Sequence, residues 1–135
     1  MVDSLPPLVV VDAANVVGSI PDGWWSDRAG ATERLRDALE TLSDAGLPAA
    51  DLPGWTDTPP LEVVLVVEGQ ARCVRGTAGV RVIAARHNAD DTIVDLVRDE
   101  VPEGRHCLVV TSDKQLRSRV RAMNAEVTGP RTVYP

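Results

Sequence analysis

The sequence contains no phenylalanine, and aromatic residues of any kind make up only 3% of it. Hydrophobic residues still account for 44% of the 135 positions, so aliphatic side chains must build the core. That share is too high for an intrinsically disordered chain. The length suits one folded domain and is too short for two, so we predict a single domain over residues 1–135.

Long hydrophobic runs are also missing. No apolar segment approaches the roughly 20 residues that a transmembrane helix requires. The first residues do not combine a basic region with a long apolar segment, which is the pattern of a secretory signal. We therefore expect a cytoplasmic protein without a membrane partner, and the sequence leaves a monomer and a dimer both open.

Cysteine and lysine are scarce. Neither Cys73 nor Cys107 has a second cysteine or a histidine pair at zinc spacing, so we expect both thiols to be reduced. Lys114 is the single lysine, and the other basic residues are arginines, which suit bidentate phosphate contacts. The net charge of −6 argues against nucleic-acid binding by overall electrostatic attraction.

An apolar run at Leu8–Val11 ends abruptly at Asp12. Three of its four residues are valines, which is typical of a short strand buried on both faces. Small residues follow, and then Asn15. Ligands of parallel α/β sheets bind beyond the carboxyl ends of the strands, so Asp12 and Asn15 are candidate site residues. A simple capping role for Asp12 is the alternative.

Similar apolar runs alternate with amphipathic segments along the rest of the chain. Strands are predicted at residues 9–11, 61–67, 80–84, 107–110 and 125–127, and helices at 28–45, at 90–100 and from Asp113 to about Met123. Loops are predicted over residues 18–27 and 47–60. A glycine-rich connection with one short helical turn is predicted over residues 69–79. This alternation indicates a three-layer α/β/α, Rossmann-like fold with a parallel sheet of about five strands.

Carboxylates stand just past several of these predicted strands. Glu68 follows the second strand, Asp113 follows the fourth, and Asp90 and Asp91 begin the helix after the third. Since parallel strands end at one sheet edge, we expect these acids to gather near Asp12. Carboxylates held together repel one another, so either some of them stay protonated or a cation compensates for their charge. Oxygen ligands alone favour a hard cation, Mg²⁺ or Mn²⁺. A helix-capping role is the alternative for Asp90.

Other polar residues are candidates for contacts with a phosphate-containing substrate. Thr111 or Ser112 could orient a water molecule or a phosphate, although Ser112 with Gln115 also fits a capping box. Three arginines could neutralise a substrate phosphate, namely Arg28, Arg34 and Arg86. The adjacent Trp24 and Trp25 could stack on a base or pack against an edge of the core.

Four motifs occur in the order found in one nuclease family. They are Asp12-Ala-Ala-Asn15, a strand ending in Glu68, Ala89-Asp90-Asp91-Thr-Ile93, and Thr111-Ser112-Asp113. In this pattern the chain resembles the NYN-type PIN-like ribonucleases over residues 8 to about 120. Ala13 stands where that family usually has glycine, and Glu68 where aspartate is commoner.

The resemblance implies a PIN-like fold and a metal-dependent phosphodiesterase that acts on RNA. Its metal ligands would be Asp12, Asp90 and Asp113, with Glu68 as a further acidic ligand. The catalytic group would combine those aspartates with Asn15 and Asp91. Two alternatives stay open: a metal-dependent nucleotide pyrophosphohydrolase or phosphatase, which suits an acidic surface, and a catalytically inactive PIN-like binding module.

Overall fold

A five-stranded sheet, parallel throughout, forms the centre of the computed structural model, which describes residues 5–21, 23–49 and 51–134. The strands are β1 (Leu8–Asp12), β2 (Glu62–Val67), β3 (Arg81–Ala84), β4 (Cys107–Val110) and β5 (Glu126–Thr128). Their order is β3-β2-β1-β4-β5, so β1 lies in the middle. The chain first builds β2 and β3 on one side of β1 and then crosses to the other side for β4 and β5.

Five α-helices accompany the sheet in the described part of the chain. They are α1 (Ala13–Gly18), α2 (Arg28–Leu39), α3 (Leu42–Ala45), α4 (Ala89–Glu100) and α5 (Lys114–Arg121). Short 3₁₀ turns cover Trp24–Ser26, Gly54–Asp57, Gly69–Cys73, Val101–Glu103 and Pro130–Thr132. No helix among the described residues combines the length and the apolar character needed to cross a membrane.

Two aliphatic cores cover the two faces of the sheet. Val9 and Val11 of β1 belong to the core that also contains residues of α1 and α2. Leu8 and Val10 point the other way, into the core formed with α4 and α5. Every residue of β1 is buried, as the uninterrupted apolar run predicted. The three-layer α/β/α fold class is therefore confirmed.

The predicted helix over residues 28–45 is wrong as a single element, because it divides into α2 and α3 at Glu40 and Thr41. The Glu40 carboxylate leaves the helix surface and accepts hydrogen bonds from the Gly79 N–H, at 2.9 Å, and from the Thr77 hydroxyl. Leu42 still packs against the same core after the break. The helical spacing of apolar residues in the sequence therefore continues from α2 into α3, although α2 itself ends at Leu39.

Helix α1 has no counterpart among the predicted elements. Its six residues are Ala-Ala-Asn-Val-Val-Gly, and Val16 and Val17 are buried. Valine is a poor helix former, so this short helix depends on packing against the core. The other predicted helices and strands are present, with ends that differ by one or two residues. Cys73 and Cys107 are both free thiols, as expected.

Candidate functional site

The centre of the candidate site is Asp12, the last residue of β1. Its side chain is buried, and its Oδ2 atom accepts a 3.0 Å hydrogen bond from the Thr111 hydroxyl. Val11 pairs with Val110 across β1 and β4, so Asp12 and Thr111 leave the sheet side by side. The strand order reverses between these two strands, and that reversal is where open α/β sheets bind ligands.

Thr111 also positions the start of α5. Its hydroxyl oxygen accepts a 3.1 Å hydrogen bond from the Asp113 N–H. Asp113 in turn caps α5, because its Oδ1 atom accepts from the Leu116 N–H at 2.8 Å. The predicted capping box of Ser112 and Gln115 is therefore wrong: the backbone stays extended through Asp113, and the helix begins one residue later than that box requires.

Ser112 instead binds α1. Its backbone N–H and its hydroxyl both donate to Oδ1 of Asn15, at 2.8 and 3.0 Å. Asn15 lies on the first turn of α1, immediately beyond Asp12. One amide side chain thus connects the loop after β4 to the helix after β1, on the same side of the sheet edge as Asp12.

Glu68, just past β2, reaches the start of α4. Its Oε2 atom accepts from the Ala89 N–H at 3.3 Å. Asn88 caps α4 through the Asp91 N–H, at 3.0 Å, so Asp90 is not the capping residue. Asp91 is exposed and forms a 3.3 Å ion pair with Arg119 of α5. Asp90 is half-buried on the inner side of the same turn.

Four carboxylates, called here the carboxylate cluster, influence one another electrostatically: Asp12, Glu68, Asp90 and Asp113. Burial raises the pKa of Asp12 to about 6, and the charges of Asp90 and Glu68 add to that rise. The Thr111 hydroxyl and the Asn15 backbone partly oppose it. Burial, followed by the charges of Asp113 and Glu68, likewise raises the pKa of Asp90, while Arg119 lowers it.

The carboxylate cluster does not form a ready-made protein cage for a metal. Within residues 5–21, 23–49 and 51–134, no three histidine, cysteine, aspartate or glutamate side chains are placed to hold one ion together. Mg²⁺ is commonly bound by one or two carboxylates, with water and substrate phosphates completing its shell. Asp12 and Asp90, whose pKa values are raised by burial and further by neighbouring acids, fit that mode of binding.

A cavity of about 300 Å³ adjoins the carboxylate cluster, and Glu68 belongs to both. Its walls come from α1, from the start of α2 and from the loops after β2 and β3. The lining residues are Ala13, Ala14, Val17, Trp24, Arg28, Thr32, Glu68, Gly69, Ala71 and His87. The Arg28 guanidinium carbon lies 5.3 Å from the centre of the Trp24 ring. We call this space the Trp24 cavity.

Sequence reasoning missed most of the Trp24 cavity. His87 was not singled out, although it follows β3 at the same sheet edge as the acids. The sequence offers the same two roles to Trp24 and Trp25, whereas in the structure Trp24 packs against the core and lines the cavity and Trp25 is 62% exposed. Their position in a loop gave no periodicity from which to decide which ring turns inward.

The predicted phosphate-binding residues occupy different environments. Arg28 lines the Trp24 cavity, whereas Arg34 on α2 and Arg86 after β3 are exposed and are not among its lining residues. Thr111 is buried, and its hydroxyl both donates to Asp12 and accepts from Asp113. Ser112 is exposed. Of these three arginines, Arg28 is the one that lines the same cavity as Glu68.

Two solved structures of Rae1 (YacP) from Bacillus subtilis resemble this chain. One superimposes with a TM-score of 0.66 at 20% sequence identity, covering 93% of this chain and 70% of that chain. The other, a tryptophan-to-leucine mutant, gives 0.66 at 17% identity, with 94% and 72% coverage. No family model and no curated protein matches the sequence. At these identities the likeness concerns the fold, which is PIN-like, as the sequence motifs predicted.

Proposed function

We propose that this protein is a metal-dependent phosphodiesterase that hydrolyses RNA. The observation that carries the proposal is the position of buried Asp12 at the strand-order reversal, within the electrostatic field of Asp90 and Glu68. A buried acid whose ionisation is opposed by other acids is suited to bind a cation. The PIN-like fold and the resemblance to NYN-type ribonucleases support RNA as the substrate.

Asp12 and Asp90 would hold Mg²⁺ or Mn²⁺ together with water and substrate phosphate oxygens, and Asp113 and Glu68 would act on the ion through their charge or through bound water. When bound, the metal would supply charge neutralisation on the phosphodiester and an acidified water molecule. Thr111 keeps the Asp12 carboxylate in a fixed orientation through its 3.0 Å hydrogen bond. Asp113 presents its remaining carboxylate oxygen from a position fixed by its capping bond to Leu116.

The other predicted residues serve as supporting groups. Asn15 and Ser112 hold α1 against the loop after β4, so they maintain the spacing between Asp12 and Asp113. Asp91, paired with Arg119, belongs to the outer surface and positions the start of α4. Arg28 offers a cation beside Glu68 where a substrate phosphate can be neutralised.

Hydrolysis of free nucleotides is the second candidate function. The net charge of −6 disfavours a long polyanion, and the Trp24 cavity is of a size that suits a small ligand. Both candidates use the same metal-dependent chemistry on a phosphoester. The two candidates differ in whether the substrate extends beyond the cavity. A comparison of RNA with free nucleotides as substrates therefore distinguishes between them.

Metal binding tests the shared part of both candidates. Mn²⁺ is titrated while thermal unfolding is followed for the native protein and for Asp12→Asn, Asp90→Asn and Asp95→Asn. Asp95 is the matched control, because it is exposed on α4 and paired only with Arg98 among the described ion pairs. At about 100 times the dissociation constant, Mn²⁺ should stabilise the native protein and the control by roughly 2.7 kcal/mol.

The shift should be lost in Asp12→Asn and in Asp90→Asn. Activity is then measured with Mn²⁺ on single-stranded RNA, structured RNA and nucleoside triphosphates. Cleavage of RNA that both aspartate variants lack would support the ribonuclease. Release of phosphate or pyrophosphate from nucleotides alone would favour the second candidate. The absence of both a Mn²⁺ shift and hydrolysis would favour an inactive binding module.

A further inference from the structure

We propose that the Trp24 cavity binds a single nucleobase of the substrate, next to the phosphate that the carboxylate cluster acts on. This inference rests on the proposed function for the identity of its ligand. A volume of about 300 Å³ is at the lower end of the range of small-ligand pockets and suits one flat ring system.

The chemistry of the cavity walls matches that of a base. The Arg28 guanidinium carbon lies over the Trp24 ring, 5.3 Å from its centre, and these two planar groups together form part of the cavity wall. Bases stack on both kinds of surface because every base has a π-face. Ala13 and Val17 of α1 also line the cavity and offer apolar contact.

Polar groups lie around the same space. Glu68 and His87 are lining residues, and both side chains can hydrogen-bond to the edge of a base or to a ribose hydroxyl. An apolar or aromatic interior with a few polar groups is the usual composition of a site that orients a small ligand. A purely aliphatic ligand would offer these polar side chains no hydrogen-bonding group.

The location of the cavity connects base binding to the proposed chemistry. Glu68 lines the cavity and accepts a hydrogen bond from the Ala89 N–H, next to Asp90, and the cavity is also lined by Ala13, which directly follows Asp12. A base held beside Glu68 would therefore place its own sugar and phosphate within reach of those carboxylates. The net acidic charge of the chain makes such a contact valuable, because stacking does not depend on electrostatic attraction to the RNA backbone.

Trp25 provides a matched control for Trp24. The two rings meet edge to face, with centres 6.1 Å apart, in the same short turn. Trp25 is 62% exposed and is not a cavity-lining residue. Replacement of either tryptophan removes the same chemical group from the same turn, but only Trp24 contributes to the proposed binding surface.

The test measures the binding of AMP, GMP, CMP and UMP by calorimetry in EDTA, with ribose 5-phosphate as the ligand that lacks a base. We expect at least one mononucleotide to bind and ribose 5-phosphate to bind about fivefold more weakly or not at all. Trp24→Leu should weaken the binding about fivefold or more, whereas Trp25→Leu should leave it within about twofold.

A second variant keeps the test independent of the contribution of Trp24 to the core. Ala14→Leu adds bulk to the α1 wall of the cavity from an exposed, helical position and leaves Trp24 in place. It should fold normally and reduce mononucleotide binding. Equal binding of ribose 5-phosphate, unchanged binding in Trp24→Leu and Ala14→Leu, or equal losses in the two tryptophan variants would overturn the proposal.

The EDTA condition separates this inference from the proposed function. Base-dependent binding without any Mn²⁺ response or hydrolysis would leave a nucleotide-binding cavity and remove the phosphodiesterase. Metal-dependent cleavage of RNA without base-dependent binding would retain the enzyme and reject the cavity as its base site.

Discussion

The Thr111 hydroxyl and the Asp12 carboxylate are joined by a buried 3.0 Å hydrogen bond, although 99 residues separate them along the chain. The bond lies where the strand order reverses and fixes one carboxylate of the cluster. It only partly opposes the effect of burial, because the pKa of Asp12 still rises to about 6. Ionisation of Asp12 is therefore less favourable in the folded protein than in the unfolded chain.

Asp12→Asn should stabilise the metal-free protein near neutral pH. The pKa of Asp12 is raised on folding from 3.8 to about 6, so the folded state keeps its proton over a range where the unfolded state has lost it. Stability should therefore fall as the pH rises from about 4 to about 6 and then level off. Asparagine removes a penalty on the order of 3 kcal/mol at pH 7.5.

Urea unfolding in EDTA between pH 4 and pH 8 measures this effect. The native protein should lose stability across that window, and the Asp12→Asn protein should lose much less. Asp95→Asn should follow the native curve, because Asp95 is exposed. If the Asp12→Asn protein is less stable than the native one at pH 7.5, the ionised carboxylate does not destabilise the folded state and the prediction is wrong.

Mn²⁺ affinity should decrease as the pH falls through the pKa of Asp12. The metal binds the ionised carboxylate, so the apparent affinity should drop about tenfold between pH 7 and pH 5. Binding near pH 6 should release protons, which calorimetry detects when two buffers with different ionisation enthalpies are compared. An affinity that stays constant from pH 7 to pH 5 would exclude Asp12 as a ligand.

Asn15→Ala should destabilise the protein by about 1–3 kcal/mol, since it leaves the Ser112 N–H and hydroxyl without their shared acceptor. Ser112→Ala removes only the hydroxyl bond and should have a smaller effect of about 0.5–1.5 kcal/mol. Chemical denaturation of both variants provides the comparison. Equal effects would mean that the backbone bond to Asn15 contributes little.

Two substitutions at Asp113 separate its capping role from its charge. Asparagine is as good an N-cap as aspartate, so Asp113→Asn should retain stability but weaken Mn²⁺ binding if the charge contributes to the metal site. Asp113→Ala should lose both, with a loss of about 1 kcal/mol in stability. Retained Mn²⁺ affinity in Asp113→Asn would restrict Asp113 to capping α5.

Gly79→Ala should destabilise the fold away from the site. A Cβ atom there would lie 2.3 Å from the Glu40 carbonyl oxygen, at the point where α2 is anchored to the turn before β3. Such overpacking typically costs about 1–3 kcal/mol. Gly54→Ala is the control, because a Cβ at that position meets nothing within 4 Å. Similar melting temperatures for the two variants would contradict the prediction.

The parts of the fold that could be predicted are those with a local signal. Four consecutive aliphatic residues before Asp12 predict a strand with two buried faces, and the same pattern before Glu68 predicts a second one. Parallel pairing then brings the acids to one edge. After burial, the charges of Asp90 and Glu68 raise the pKa of Asp12, so these acids lie within electrostatic range of one another.

The parts that could not be predicted depend on contacts between distant segments. Three consecutive residues, Thr111, Ser112 and Asp113, can each cap a helix, and the choice depends on Thr111 turning to Asp12 and Ser112 turning to Asn15. The division of roles between Trp24 and Trp25 likewise depends on the position of α2 and its Arg28. Neither arrangement can be predicted from the spacing of apolar residues in the sequence.

The central position of β1 also affects when the carboxylate cluster can form during synthesis. β1 emerges first and pairs with β2, but its other neighbour, β4, begins only at Cys107. A nascent chain that ends before Thr111 would carry three of the cluster's acids and lack the hydroxyl that orients Asp12. Long-range pairing of this kind forms slowly relative to local helices. Metal binding should therefore report the completed fold, and truncated or partly folded chains should lack it.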